Sequence, residues 1–143
     1  MYSGELSLEC KNIDGKWGYA NSENMFVITP TFDEANCFSE GLAAVKDGGK
    51  WGYIDKEGNY FIKPQFYDAR SFSEGLAAVQ IGEKWGYIDN NGIYVILPKF
   101  DKAWDFSQGL ARVRFDGSSR WMIDKKGKLA RPEYFKWLRK QER

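Results

Sequence analysis

An all-β tandem repeat is the fold that this sequence predicts, on three observations. The first is a hexapeptide, Lys50-Trp51-Gly52-Tyr53-Ile54-Asp55, that returns as Lys84 to Asp89 and, altered, as Lys16 to Asn21 and Arg120 to Asp124. Trp17, Trp51 and Trp85 are evenly spaced and Trp121 falls two positions late, and a fixed period of this length marks a repeat architecture. The second is that other landmarks keep the same step: Pro30, Pro64, Pro98 and Pro132; Phe32, Phe66, Phe100 and Tyr134; Phe38, Phe72 and Phe106; Gly41, Gly75 and Gly109. The third is that short runs of alternating apolar residues are punctuated by glycine-bearing turns, which is strand and hairpin patterning.

Taken in order, residues 3–15 read as a worn first strand, with Leu6, Leu8 and Cys10 alternating, closed by a turn at Asn12-Ile13-Asp14-Gly15. The second copy states the unit most fully. Leu42 to Lys46 is a short strand, Asp47-Gly48-Gly49 a tight turn that needs positive φ, and Lys50 to Asp55 a second strand. Lys56 to Asn59 turns the chain, and Tyr60 to Lys63 makes a third strand that Pro64 ends, because proline has no N–H for a ladder. The unit is thus expected to be an antiparallel three-stranded meander.

Alternation puts Trp51 and Tyr53 on one face of the second strand, and the isolated glycines Gly18, Gly52 and Gly86 are expected where another backbone approaches closely. The link Gln65 to Gly75 is expected to be irregular or briefly helical, with Phe66, Ala69 and Phe72 covering the meander.

The copy from Leu110 to Pro132 departs from the pattern. Its stretch from Gly109 to Trp121 is two positions longer than the one from Gly75 to Trp85, and Trp121 to Pro132 is two positions shorter than Trp85 to Pro98. Terminal repeats are commonly atypical because one face lacks a neighbour. Arg131-Pro132-Glu133 reads as a helix start, and Tyr134, Trp137 and Leu138 fall on one helical face. The expected organisation is an array over 1–132, in units of 3–37, 38–71, 72–105 and 106–132, followed by a basic helical cap at 133–143. The units could stack as an open superhelix or as a partial propeller-like ring.

With its Trp-Gly core, its Pro-x-Phe and its Phe-Ser-x-Gly-Leu-Ala, the chain resembles the WG-repeat family over roughly residues 3–132. The resemblance implies a β-rich repeat array, found mostly in bacterial proteins, and no general activity comes with it.

Composition bounds the rest. A chain of 143 residues suits one domain, and 43% hydrophobic with 17% aromatic residues is too rich for a disordered chain. No apolar run approaches a membrane span, and Met1 to Cys10 lacks the pattern of a signal peptide. The expected address is therefore cytoplasmic, unless a leader has been removed. Cys10 and Cys37 occupy unrelated repeat positions and are expected to be buried free thiols.

Chemistry is sparse. With no histidine, the commonest general base and the commonest metal ligand are missing. Glu40 and Glu74 belong to a turn, and Asp55, Asp89 and Asp124 are expected to accept backbone N–H groups in their own turns. No phosphate-cradling glycine motif occurs. The expectation is no enzyme, no cofactor and no metal. Lys16, Lys50, Lys84 and Arg120 precede the tryptophans, which permits a nucleic-acid reading beside the plainer one of solvated strand starts. Trp17, Trp51, Trp85 and Trp121 are assigned to the structural core.

Positions that recur build the scaffold, so a binding surface is sought where one copy departs. Trp104 replaces Asn36 and Arg70; Arg112 replaces Ala44 and Ala78; Arg114 replaces Lys46 and Gln80; Phe115 replaces Asp47 and Ile81; and Tyr67 replaces Asp33 and Asp101. Such residues are enriched at interface hot spots. Residues 120–143 carry net +6 against net −5 for 1–119, with Lys125, Lys126, Lys128, Lys136, Arg139 and Lys140 forming a basic patch. A non-catalytic protein-binding or assembly module is expected, with possible self-association. The alternatives are nucleic-acid or polyanion binding through the basic end, and then carbohydrate binding. No membrane association is expected.

Overall fold

The computed structural model describes residues 7–115 and 119–130, which hold fifteen β-strands and, among the described residues, no helix. The expected helical cap at 133–143 lies outside them. The chain divides into two compact units, Met1–Phe72 and Ser73–Arg143.

In the first unit, β1 (Glu9–Ile13), β2 (Lys16–Ala20) and β3 (Phe26–Phe32) form an antiparallel meander. A second sheet runs in the order β4 (Glu34–Ala35), β5 (Ala43–Asp47), β6 (Lys50–Ile54), β7 (Tyr60–Phe66), and β8 (Asp68–Ala69) follows. In the second unit β9 (Leu76–Ile81), β10 (Lys84–Asp89) and β11 (Tyr94–Phe100) repeat the meander. A sheet in the order β12 (Lys102–Ala103), β13 (Ala111–Phe115), β14 (Ser119–Ile123), β15 (Leu129–Ala130) completes it.

Two expectations about the strands need correction. The meander gains a fourth strand, because part of the link is extended: β4 lies beside β5 and β12 beside β13. The third strand does not end at its proline, since β7 runs through Pro64 to Phe66. Trp51 pairs with Phe66 and Tyr53 with Ile62, so Lys63, Pro64 and Gln65 bulge opposite Gly52 alone, where the missing N–H breaks no ladder bond. The bulge in turn requires the glycine. A Cβ on Gly52 would stand 2.6 Å from the Ile62 carbonyl oxygen and 2.7 Å from Pro64 N, and Gly18 and Gly86 meet the same atoms of their own copies at 2.5–2.7 Å.

Three of the copies are centred on a tyrosine. Tyr19, Tyr53 and Tyr87 are fully buried. Each donates its phenolic hydrogen at 2.7 Å to the link, to the carbonyls of Asn36, Arg70 and Trp104. Each ring also meets Phe38, Phe72 or Phe106 edge-on at 4.8–5.0 Å. Burial pushes the Tyr19 hydroxyl well above its ordinary range. Trp51, Tyr53 and Ile54 are all buried although their side chains alternate, so β6 is covered on both faces.

Copies are joined one to the next by polar staples. Ser39 Oγ donates to the Phe72 carbonyl and Ser73 Oγ to the Phe106 carbonyl, both at 2.7 Å. The Glu74 carboxylate accepts the backbone N–H groups of Gln108 at 2.6 Å and Gly109 at 2.9 Å. Turns behave as expected: Gly48 and Gly49 have φ of 63° and 87°, and Asp55, Asp89 and Asp124 each accept two backbone N–H bonds at 2.9–3.0 Å within their turns.

The cysteines overturn their assignment. Cys10 on β1 and Cys37, just past β4, are joined by a disulfide with Cα atoms 5.1 Å apart, well within the bridging range. Cys37 is exposed and Cys10 half-buried. The corresponding residues of the next copy, Ala44 and Ser71, carry no sulfur, which is why the repeat pattern hid the pairing.

Candidate functional site

The β12–β13 pair of the second unit presents the residues of interest. Trp104 follows β12 with its backbone held from both sides: its N–H donates to the Arg112 carbonyl at 3.0 Å and its carbonyl accepts the Tyr87 hydroxyl at 2.7 Å. Along β13, alternation sends Ala111 and Val113 into the core, 1% and 0% exposed, and Arg112 and Arg114 to the other side. The guanidinium carbons of Arg112 and Arg114 lie 5.8 Å and 6.0 Å from the centre of the Trp104 ring. Attraction of a cation to the face of the half-buried indole contributes about 0.5–1 kcal/mol, which favours this placement of the two side chains. Arg114 Nε is buried and finds no hydrogen-bond partner among the described residues.

Phe115 does not join them. It stacks between Phe100 (5.8 Å) and Trp121 (6.0 Å) and packs against the core cluster of the second unit. Tyr67 is 63% exposed and belongs to the first unit. It stands where Asp33 and Asp101 bind Lys16 and Lys84 at 2.6 Å. Of the four tryptophans assigned to the core, Trp51 and Trp85 are buried, at 8% and 3% exposure, while Trp17 and Trp121 are half-buried. Within the basic patch, Lys125 pairs with Glu74 at 3.5 Å and Lys126 and Lys128 are exposed; Lys136, Arg139 and Lys140 lie outside the described residues.

The family comparison agrees with this architecture. The WG containing repeat matches three times, over residues 17–51, 51–85 and 85–118. The chain belongs to the WG-repeat family. No curated protein matches it. WG repeats are in general a non-enzymatic repeat. In this chain Asp55, Asp89 and Asp124 close turns and Glu74 bonds a neighbouring turn.

Subtracting one WG copy from another missed a second surface. Ile93, Val95 and Leu97, 63%, 45% and 70% exposed, form an outward apolar row at the start of β11. The matching rows are Met25, Val27, Thr29 and Asn59, Phe61, Lys63. The signal was a change of lysine or threonine to leucine, weaker than a tryptophan appearing among polar residues.

Proposed function

We propose that this WG-repeat chain is a non-catalytic protein-binding module whose contact face is Trp104, Arg112 and Arg114. The observation that carries the reading is that these three departures from the repeat gather on the outward side of β12 and β13, away from the core that Ala111, Val113 and Phe115 join. Tryptophan and arginine are the residues on which interface energy concentrates. Residues that neither recur nor fill the interior are dispensable for the fold.

Trp104→Ala and Arg112→Ala should therefore leave the melting temperature within about 2 °C of the parent. They should weaken capture of the partner about tenfold, or 1.4 kcal/mol. A photo-crosslinker at position 105, exposed beside Trp104 and outside the three contact residues, used in source cells, identifies that partner. A large loss of stability with unchanged capture would make the three residues packing for the sheet and refute the reading.

For location, the Cys10–Cys37 disulfide favours an oxidising compartment over the cytoplasm. Thiol blocking in intact cells followed by mass spectrometry tests this, and alkylated Cys10 and Cys37 would restore the cytoplasmic expectation.

A further inference from the structure

The Trp104 face carries a charge imbalance that the other copies do not have. In the first unit Glu34 on β4 pairs in register with Lys46 on β5, and their side chains form an ion pair at 3.2 Å. In the second unit the same register sets Lys102 against Arg114, two like charges directly opposite, an arrangement that costs stability. Arg112 adds a third cation two positions along β13. Among the described residues no carboxylate pairs with Lys102, Arg112 or Arg114. Asp101 holds Lys84, Glu74 holds Gln108, Gly109 and Lys125, and Asp124 closes its own turn; Asp105, the exposed neighbour of Trp104, forms no ion pair with the three cations among the described residues.

We propose that Lys102, Arg112 and Arg114 form a carboxylate-binding site for an extended acidic segment of a partner protein, with Glu or Asp at alternate positions. The proposal rests on the protein-binding reading above and names the chemistry of the partner. Arg112 and Arg114 are next-but-one neighbours on one face of a strand, about 6.5–7 Å along the backbone. A Glu-x-Glu segment in extended conformation offers carboxylates at the same interval. Contact with the indole restrains both guanidinium groups, and an arginine against an aromatic face keeps its in-plane N–H groups for a bidentate carboxylate.

A nucleic-acid backbone offers anions too, yet the site suits it less well. The Trp104 ring on which a base would stack already has two guanidinium groups against it.

The test is a titration of the full chain with three labelled probes: a Thr-Glu-Thr-Glu-Thr peptide, its glutamine counterpart and an oligothymidylate. The glutamate peptide should bind at least about tenfold tighter than the glutamine peptide, and its affinity should fall as salt rises from about 50 to about 300 mM. Arg112→Gln and Arg114→Gln should each weaken it severalfold, and Lys126→Gln should not. Arg114→Glu restores an opposite pair with Lys102, so it should fold at least as stably as the parent while losing the glutamate peptide, which separates binding from folding.

Equal binding of the two peptides, indifference to Arg112→Gln and Arg114→Gln, or preference for the oligothymidylate would each overturn the proposal. If the crosslink at position 105 still captures a protein, the protein-binding reading survives and only the acidic chemistry falls; if it captures none, both fall.

Discussion

A Cβ at position 86 would sit 2.5 Å from the Ile96 carbonyl oxygen and 2.7 Å from Pro98 N, and both atoms are backbone. Gly86→Ala must therefore push β11 away from β10. It should destabilise the second unit by about 1–3 kcal/mol, the usual cost of overpacking. Trp85→Ala, which empties a buried site, should cost about 3–5 kcal/mol, and Trp17→Ala less, because Trp17 is half-buried. Urea denaturation of the three variants checks the order; Trp17→Ala costing as much as Trp85→Ala would refute it. At this scale much was legible. A lone glycine between aromatic residues announced close approach, and aspartates before turns announced acceptors for the turns' own backbone N–H groups. What a comparison of copies did not weigh was direction: Phe115 replaces Asp47 and Ile81 as Trp104 replaces Asn36 and Arg70, yet it points inward, because alternation along β13 sets it opposite Arg112 and Arg114.

The turns from Ser39 to Leu42 and from Ser73 to Leu76 connect elements as well as reverse the chain. Their second residues, Glu40 and Glu74, adopt φ of 55° and 54°, a left-handed conformation uncommon outside glycine. At Glu74 the conformation accompanies a carboxylate that bonds the matching turn of the next copy. The N–H of Gly109, then that of Gln108 and the charge of Lys125, hold the Glu74 carboxyl below its ordinary 4.5.

A carboxyl lowered in the folded state stabilises fully above its unfolded value and loses that contribution as pH falls through the folded one. The second unit should thus weaken as pH drops below about 4.5, and Glu74→Gln should flatten that part of the dependence. Melting curves from neutral to strongly acidic pH measure it, and parallel profiles for parent and Glu74→Gln would exclude the staple. Sequence patterning identified these turns as scaffold but not as staples, because an acceptor a whole copy away from its donor leaves no local trace. Pro64 misled for a related reason: proline ends an ideal strand, and only the bulge facing Gly52 explains its place inside β7.

Over the described residues, the repeat was readable from its period and its all-β class from alternation and glycine-bearing turns, whereas the disulfide was not, since it joins positions that no other copy uses. The bridge spans a sequence separation of 27 residues, and a loop of this length limits the unfolded chain by about 3–4 kcal/mol in the chain-entropy view. Reduction should therefore lower the stability of the Met1–Phe72 unit. Hydrogen exchange should show amides of β1 and β2 losing protection while those of β9 and β10 keep theirs, and equal protection before and after reduction would contradict the expectation.

The serine staples have a further consequence, for how such a gene changes length. Ser39 and Ser73 each find their partner one copy ahead, at Phe72 and Phe106, and the dipeptide Phe-Ser recurs at 38–39, 72–73 and 106–107. Each bond is specified by an offset and not by an address. An unequal crossover between Phe-Ser codons adds or removes one full period of the sequence and still hands every serine a phenylalanine carbonyl at the right interval. Whole copies are thus the natural unit of gain and loss, whereas a short insertion such as the one between Gly109 and Trp121 shifts every offset that crosses it.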